Sequence, residues 1–136
     1  EASLELTEHC ALVLDIHHHW VKTGEYISPM DERCTRIKDS WRGVRPVIHY
    51  SVSREDYLLG HKTDVKPDYN GLLEHGYKKA KLRAHSDMFW NSAVNEWAIQ
   101  FNKDFDIMCE SKFKQVASID LYNQMYQQNV SDNLFK

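Results

Sequence analysis

The 136-residue chain is 42% hydrophobic and 27% charged, the balance of one ordinary folded domain. A net charge of -3 and a pI near 6.2 exclude a strongly basic nucleic-acid coat, so an anionic partner would have to be held at a local site or through metal ions. Three scattered cysteines (Cys10, Cys34, Cys109) without a CxxC pair exclude a thiolate zinc site and a secreted disulfide framework. There is no membrane-length apolar run and no signal peptide, so a cytoplasmic or nucleoid-associated setting without membrane contact is expected.

In chain order, the opening Glu1-Ala2 lacks an initiator Met, as expected of a truncated or processed chain, and residues 1–9 resemble the end of an earlier helix. Cys10 to Leu14 is a continuous apolar run ending at Asp15, the pattern of a strand buried on both faces. Asp15 is followed by a turn containing His17, His18 and His19. Ser28-Pro29 with Asp31 and Glu32 starts a helix that runs to about Trp41, before Gly43. A second strand, Arg45 to Ile48, ends at His49-Tyr50-Ser51. Val52 to Gly76 is long and polar and is expected to be an active-site loop.

A weaker third strand, Ala80 to Ala84, ends at His85-Ser86-Asp87. Asn91 caps a helix through Phe101, with Ala93, Val94, Trp97 and Phe101 on one face. A last strand, Phe105 to Cys109, ends at Glu110. Val116 to Gln127 forms an amphipathic helix, with Ile119, Leu121, Tyr122 and Met125 as expected buried contacts.

The polar strand ends fall at 15, 49, 85 and 110, which are 34, 36 and 25 residues apart. One strand, one helix and two loops need roughly 30 residues, so successive parallel βα units are expected, with all strand C-termini opening on one mouth. Four such units make half of an eight-stranded barrel, and a half-barrel leaves open strand edges. The expected fold is therefore α/β, with residues 1–136 as the C-terminal half of a TIM barrel whose N-terminal half is a missing partner. A flavodoxin-like sheet is the alternative.

Asp, His and Glu at strand ends supply the mixed nitrogen and oxygen ligands accepted by divalent ions such as manganese or zinc. Asp15 and the His three residues on, His18, can serve neighbouring ions; the bland alternative is that the histidines cap a loop or bond within the core. His49 and His85 are expected ligands beside them. Asp87 is either a ligand or a helix cap. Glu110 closes an apolar strand, where an unpaired carboxylate would be costly, so it either binds metal or pairs with Lys112. Lys112 could instead face a phosphate, or simply be solvated.

Clustered divalent ions suit phosphodiester hydrolysis. Trp20, Trp41, Phe89 and Trp90 could stack on nucleotides, although core packing accounts for at least two of them. Arg42, Arg45, Lys81 and Arg83 could meet backbone phosphates.

The segments Leu12–His19 (LVLDIHHH), Val47–Ser51 (VIHYS), Ala84–Asp87 (AHSD) and Asp106–Lys112 (DIMCESK) occur in an order that resembles the ultraviolet-damage endonuclease family, across nearly the whole chain. The resemblance implies a TIM barrel related to endonuclease IV and the xylose-isomerase-like barrels. It also implies nicking of damaged double-stranded DNA 5′ to ultraviolet photoproducts, with abasic sites as a further substrate. The implied cofactor is a cluster of divalent ions, manganese first, with zinc or magnesium as alternatives.

Carried over by motif, Asp15, His18, His49, His85 and Glu110 are the implied metal ligands, and His17 matches the His-rich turn. Glu110, Lys112 and His17 are the candidate catalytic groups, and Arg42, Arg45, Trp20 and Trp90 the candidate DNA contacts. Two departures stand out. The family's N-terminal half is absent, so this stretch alone is expected to be inactive. The lysine that some members carry two residues before the strand-end His is Val47. A metal-dependent sugar isomerase or epimerase on a similar barrel, or a non-catalytic remnant, are the competing expectations.

Overall fold

A computed structural model describes residues 2–134. Three short parallel strands, β1 (Leu14–Asp15), β2 (Val47–Tyr50) and β3 (Asp106–Cys109), form one sheet in the order β1-β2-β3. Six α-helices are described: α1 (Ile16–Thr23), α2 (Glu32–Asp39), α3 (Tyr69–Glu74), α4 (Lys79–Leu82), α5 (Ser92–Ile99) and α6 (Gln115–Leu134). The expected end of a helix at the start of the chain is a 3-10 segment, Ala2–Leu6. The chain is thus mixed α/β with a parallel sheet.

The expected third strand is absent. Residues 80–84 alternate apolar and basic, but Ala, Leu, Lys and Arg are helix formers, and Lys79–Leu82 closes a helical turn instead. Leu82 is fully buried against Trp20, Val21, Leu58 and Tyr69, which helical geometry allows and an edge strand would not. His85 is held by an isolated antiparallel bridge to Ser53, and β2 pairs directly with β3. The regular spacing of polar strand ends therefore marks three strands and one bridge, not four strands.

A helix unforeseen in the sequence follows β1 at once. Asp15 is its N-cap, accepting a hydrogen bond from His18 N at 2.8 Å. Ile16, Trp20 and Val21 form its buried side, and Gly24 in the left-handed region (φ 80°) ends it, donating its N–H to Trp20 O. The three histidines therefore stand on a helical first turn, not in a loop.

The register determines which face is covered. Leu14, Ile48 and Ile107 are neighbours across the sheet, as are Asp15, His49 and Met108. The first set packs into the main core with Tyr50, Phe89, Val94, Trp97, Phe101, Phe105 and Leu121, of which α5 supplies Val94 and Trp97 and α6 supplies Leu121. The second set lies on the opposite face, where Met108 is 51% exposed, as is Val13 just before β1. One face of the sheet is buried by helices and the other is bare.

Inside the core, Asn95 joins the layers. It accepts from the Tyr50 hydroxyl at 2.6 Å and donates to Phe89 O and Gln124 Oε1, both at 2.9 Å. On α6, Leu121 is buried and Met125 packs on the core as expected, but Ile119 and Tyr122 are exposed, because Ala117 and Leu121 take the inward face. No helix among the described residues is long and apolar enough to cross a membrane.

Candidate metal centre

Asp15, His49 and Glu110 meet at the C-terminal ends of the three strands. One ligand atom from each lies within 4.8 Å of the others. Backbone pairing explains the convergence. Asp15 and His49 are register partners across β1 and β2, and Glu110 extends the next pairing by donating its N–H to Tyr50 O at 2.8 Å. Asp15 and His49 therefore leave the bare face side by side, with Glu110 at the end of the adjoining strand.

Two further imidazoles flank the three. His18 Nδ1 lies 3.5 Å from Asp15 Oδ2, and His85 Nε2 lies 3.3 Å from Glu110 Oε2. The other oxygen of Glu110 touches His49 Nδ1 at 2.5 Å. The His18 and His85 rings face one another with centroids 6.4 Å apart. Glu110 thus pairs with His49 and His85, and not with Lys112. All five side chains are partly open to solvent, so an ion can reach them.

The donors fit a hard to borderline divalent cation. Ligand bonds of about 2.0–2.2 Å place ligand pairs up to about 4.4 Å apart, which the 4.8 Å grouping reaches with a small closure. A cation seated there would replace the direct His49–Glu110 contact with two coordinate bonds and offset two clustered carboxylates. Asp15 is already oriented, because one of its oxygens is fixed by the helix cap.

No family model, curated protein or solved structure matches the chain. The chemistry of the centre therefore rests on its own geometry.

The remaining expected residues fall in several places. His17 is 4% exposed, its ring centroid 6.2 Å from those of both His18 and His85. Ser53 Oγ donates to Leu82 O at 2.7 Å, so the His17 Nε2–H donates to Ser53 Oγ at 3.3 Å. Burial, opposed by the nearby Asp15 carboxylate, lowers the His17 pKa from 6.5 to about 4, so the ring is neutral near neutrality. Its place is structural support behind the site.

Asp87 is exposed and lies outside the three-ligand group; its backbone carbonyl accepts from Phe113 N. Lys112 is exposed, and its backbone N–H is tied to Ser86 O.

Of the four expected DNA contacts, burial removes Trp20. Trp20 is 4% exposed in the second core cluster, because it is on the inward side of α1. Trp90 is half-buried and donates its indole N–H to Ser53 O at 2.8 Å, bracing the bridge that holds His85. Arg42 and Arg45 precede β2, at the strand end opposite the cluster. There Arg42 binds Glu8 O, and Arg45 pairs with Asp106 at 2.6 Å and with the carbonyls of Asn102 and Phe105.

His19, which the sequence reading placed in the His-rich turn without a role, contacts Glu25 at 2.7 Å within a cluster that includes Arg33 and Asp31. Sequence reasoning missed Ser53 as the support of both His17 and the His85 bridge. Asp15, the 16/20/21 apolar spacing and Gly24 were the available signal for α1.

Proposed function

We propose that Asp15, His49 and Glu110 are the core of a divalent-metal centre that hydrolyses phosphodiester bonds in damaged DNA, in the manner of the ultraviolet-damage endonucleases. The observation that carries this reading is the convergence of two carboxylates and an imidazole within 4.8 Å at the ends of three adjacent parallel strands. Such strand ends are where α/β folds place their chemistry. The sequential strand order and the bare sheet face support reading the chain as a (β/α) barrel segment, in which strand C-termini form the mouth.

When bound, a divalent ion, manganese in this proposal, supplies Lewis-acid polarisation of a phosphoryl oxygen and makes a nearby water more acidic. The chain's own groups orient that chemistry. The α1 cap fixes Asp15 in place. His49 and His85 hold one oxygen each of Glu110. His18 extends the cluster toward solvent, where a backbone phosphate would arrive. The partner in this reading is ultraviolet-damaged duplex DNA, and the setting is the cytoplasm.

The test is nicking of supercoiled plasmid by the full-length protein supplied with manganese. Irradiated plasmid should be cut well beyond untreated plasmid, and chelation should stop cutting. Equal cutting of both plasmids would remove the repair assignment. Turnover of an aldose or ketose in place of DNA would move the centre to the sugar isomerases.

A further inference from the structure

The sequence is acidic overall, yet no Asp or Glu occurs between Glu74 and Asp87, while Lys78, Lys79, Lys81 and Arg83 all do. The fold gathers part of this run at the cluster. Helix α4 packs against α1 through Leu82, Trp20 and Val21, and this apolar seam pushes the charged side chains of both helices outward. A groove of about 430 Å³ lies along the seam, lined by His18, Val21, Lys22, Lys79, Ala80 and Arg83. Lys22, Lys79 and Arg83 are exposed. Among the described residues no carboxylate pairs with any of the three, whereas Arg33, Lys38, Arg45 and Arg54 all have acidic partners. His18 is at once a wall of this groove and a neighbour of Asp15.

We infer that this groove is a phosphate-backbone track for nucleic acid, in which Lys22, Lys79 and Arg83 hold the phosphates flanking the one presented to the cluster. The inference rests on the proposed metal-centre reading and supplies its substrate contact. The two ammonium groups act as point charges and the guanidinium as a planar fork, a combination that suits a chain of regularly spaced monoanions. Among the described residues none of the three cations has a carboxylate partner, although Lys79 Nζ also lies 5.6 Å from the centroid of the Tyr69 ring, and an acidic protein surface is the alternative that poly-glutamate tests. The track is offered in place of the contact surface expected at Arg42 and Arg45, which lie at the other end of the sheet, Arg42 on the Glu8 carbonyl and Arg45 against Asp106.

The experiment is fluorescence anisotropy of a labelled duplex with the full chain in chelator, titrated with salt. Compared with the parent, the Lys22→Gln, Lys79→Gln, Arg83→Gln variant should bind about tenfold or more weakly at low salt. Its log–log salt slope should fall by about 0.9 per cation removed, roughly 2 to 3 in all, and each single substitution should give about a third of that. All three side chains are exposed, and unchanged circular dichroism checks the fold. Arg42→Gln with Lys103→Gln, at the opposite strand end, should leave affinity and slope as in the parent.

An unchanged slope in the triple variant, an equal loss in the opposite-end variant, or equal affinity for poly-glutamate would overturn the track. Manganese binding, followed separately by electron paramagnetic resonance, should be the same in parent and triple variant. A parent that binds no manganese but loses duplex in the triple variant rejects the metal centre and supports the track. Intact manganese binding with an unchanged slope rejects the track alone.

Discussion

His49 and His85 grip opposite oxygens of one carboxylate, Glu110, at 2.5 and 3.3 Å. One imidazole comes from the middle strand and the other from the segment bridged to Ser53, so a single side chain ties the sheet to the end of a long excursion.

That position makes Glu110 the most telling substitution. Glu110→Gln keeps the shape and removes the charge, so manganese affinity should drop by about tenfold or more while the melting temperature changes little, the side chain being partly exposed. Titration calorimetry reads the first quantity and circular dichroism the second. Retained affinity would exclude Glu110 as a ligand.

His17 predicts an acid sensitivity. Its pKa is about 4 when folded and 6.5 when unfolded, so the unfolded chain takes up the proton first as pH falls. The stability is complete above pH 6.5, declines between 6.5 and 4, and levels off below 4. The loss across that window is on the order of 3 kcal/mol. Denaturant unfolding in chelator should show this decline in the parent and a flatter profile in His17→Gln, whose amide can still donate to Ser53. Parallel profiles would count against the buried neutral ring.

Gly24→Ala tests the helix that carries the histidines. A Cβ there would sit 2.4 Å from Tyr69 Cδ1 on a backbone at φ 80°, and the Tyr69 ring is fixed by its hydroxyl's bond to Val21 O. The left-handed conformation alone costs about 1–2 kcal/mol, so a loss of at least about 2 kcal/mol is expected in urea unfolding. A change within about 0.5 kcal/mol would mean that the turn is built differently.

Asn95→Ala should cost about 2–3 kcal/mol, because it leaves the buried Tyr50 hydroxyl and Phe89 carbonyl without partners. Tyr50→Phe should cost less in the Asn95→Ala background than in the parent. Additive losses would deny the Tyr50–Asn95 bond.

Much of this arrangement was legible in the residues. Apolar runs ending at Asp15, His49 and Glu110 mark parallel strands, which display their terminal side chains at one end, but the run expected to be a strand buried on both faces from Cys10 is a strand only at Leu14–Asp15, and Val13 beside it is exposed. Residues 80–84 misled because apolar alternation over five residues resembles a strand, while Leu82 actually packs between α1 and the 57–77 segment, where helix α3 interrupts the long loop expected over Val52 to Gly76. Trp20 and Arg45 misled for a related reason. Their chemistry suits nucleic acid, but whether they are accessible depends on helix phase and on which end of a strand they occupy, and both are fixed only by tertiary packing.

The bare sheet face carries a further consequence for the carboxylates beside it. Val13, Met108 and the aqueous side of His49 share that surface with Asp15. Any apolar layer laid across it would lower the local permittivity around two adjacent negative charges, raising both the penalty for leaving them uncompensated and the grip on a cation that compensates them. Occupancy of the proposed ion site and closure of that surface would therefore be energetically linked, each favouring the other.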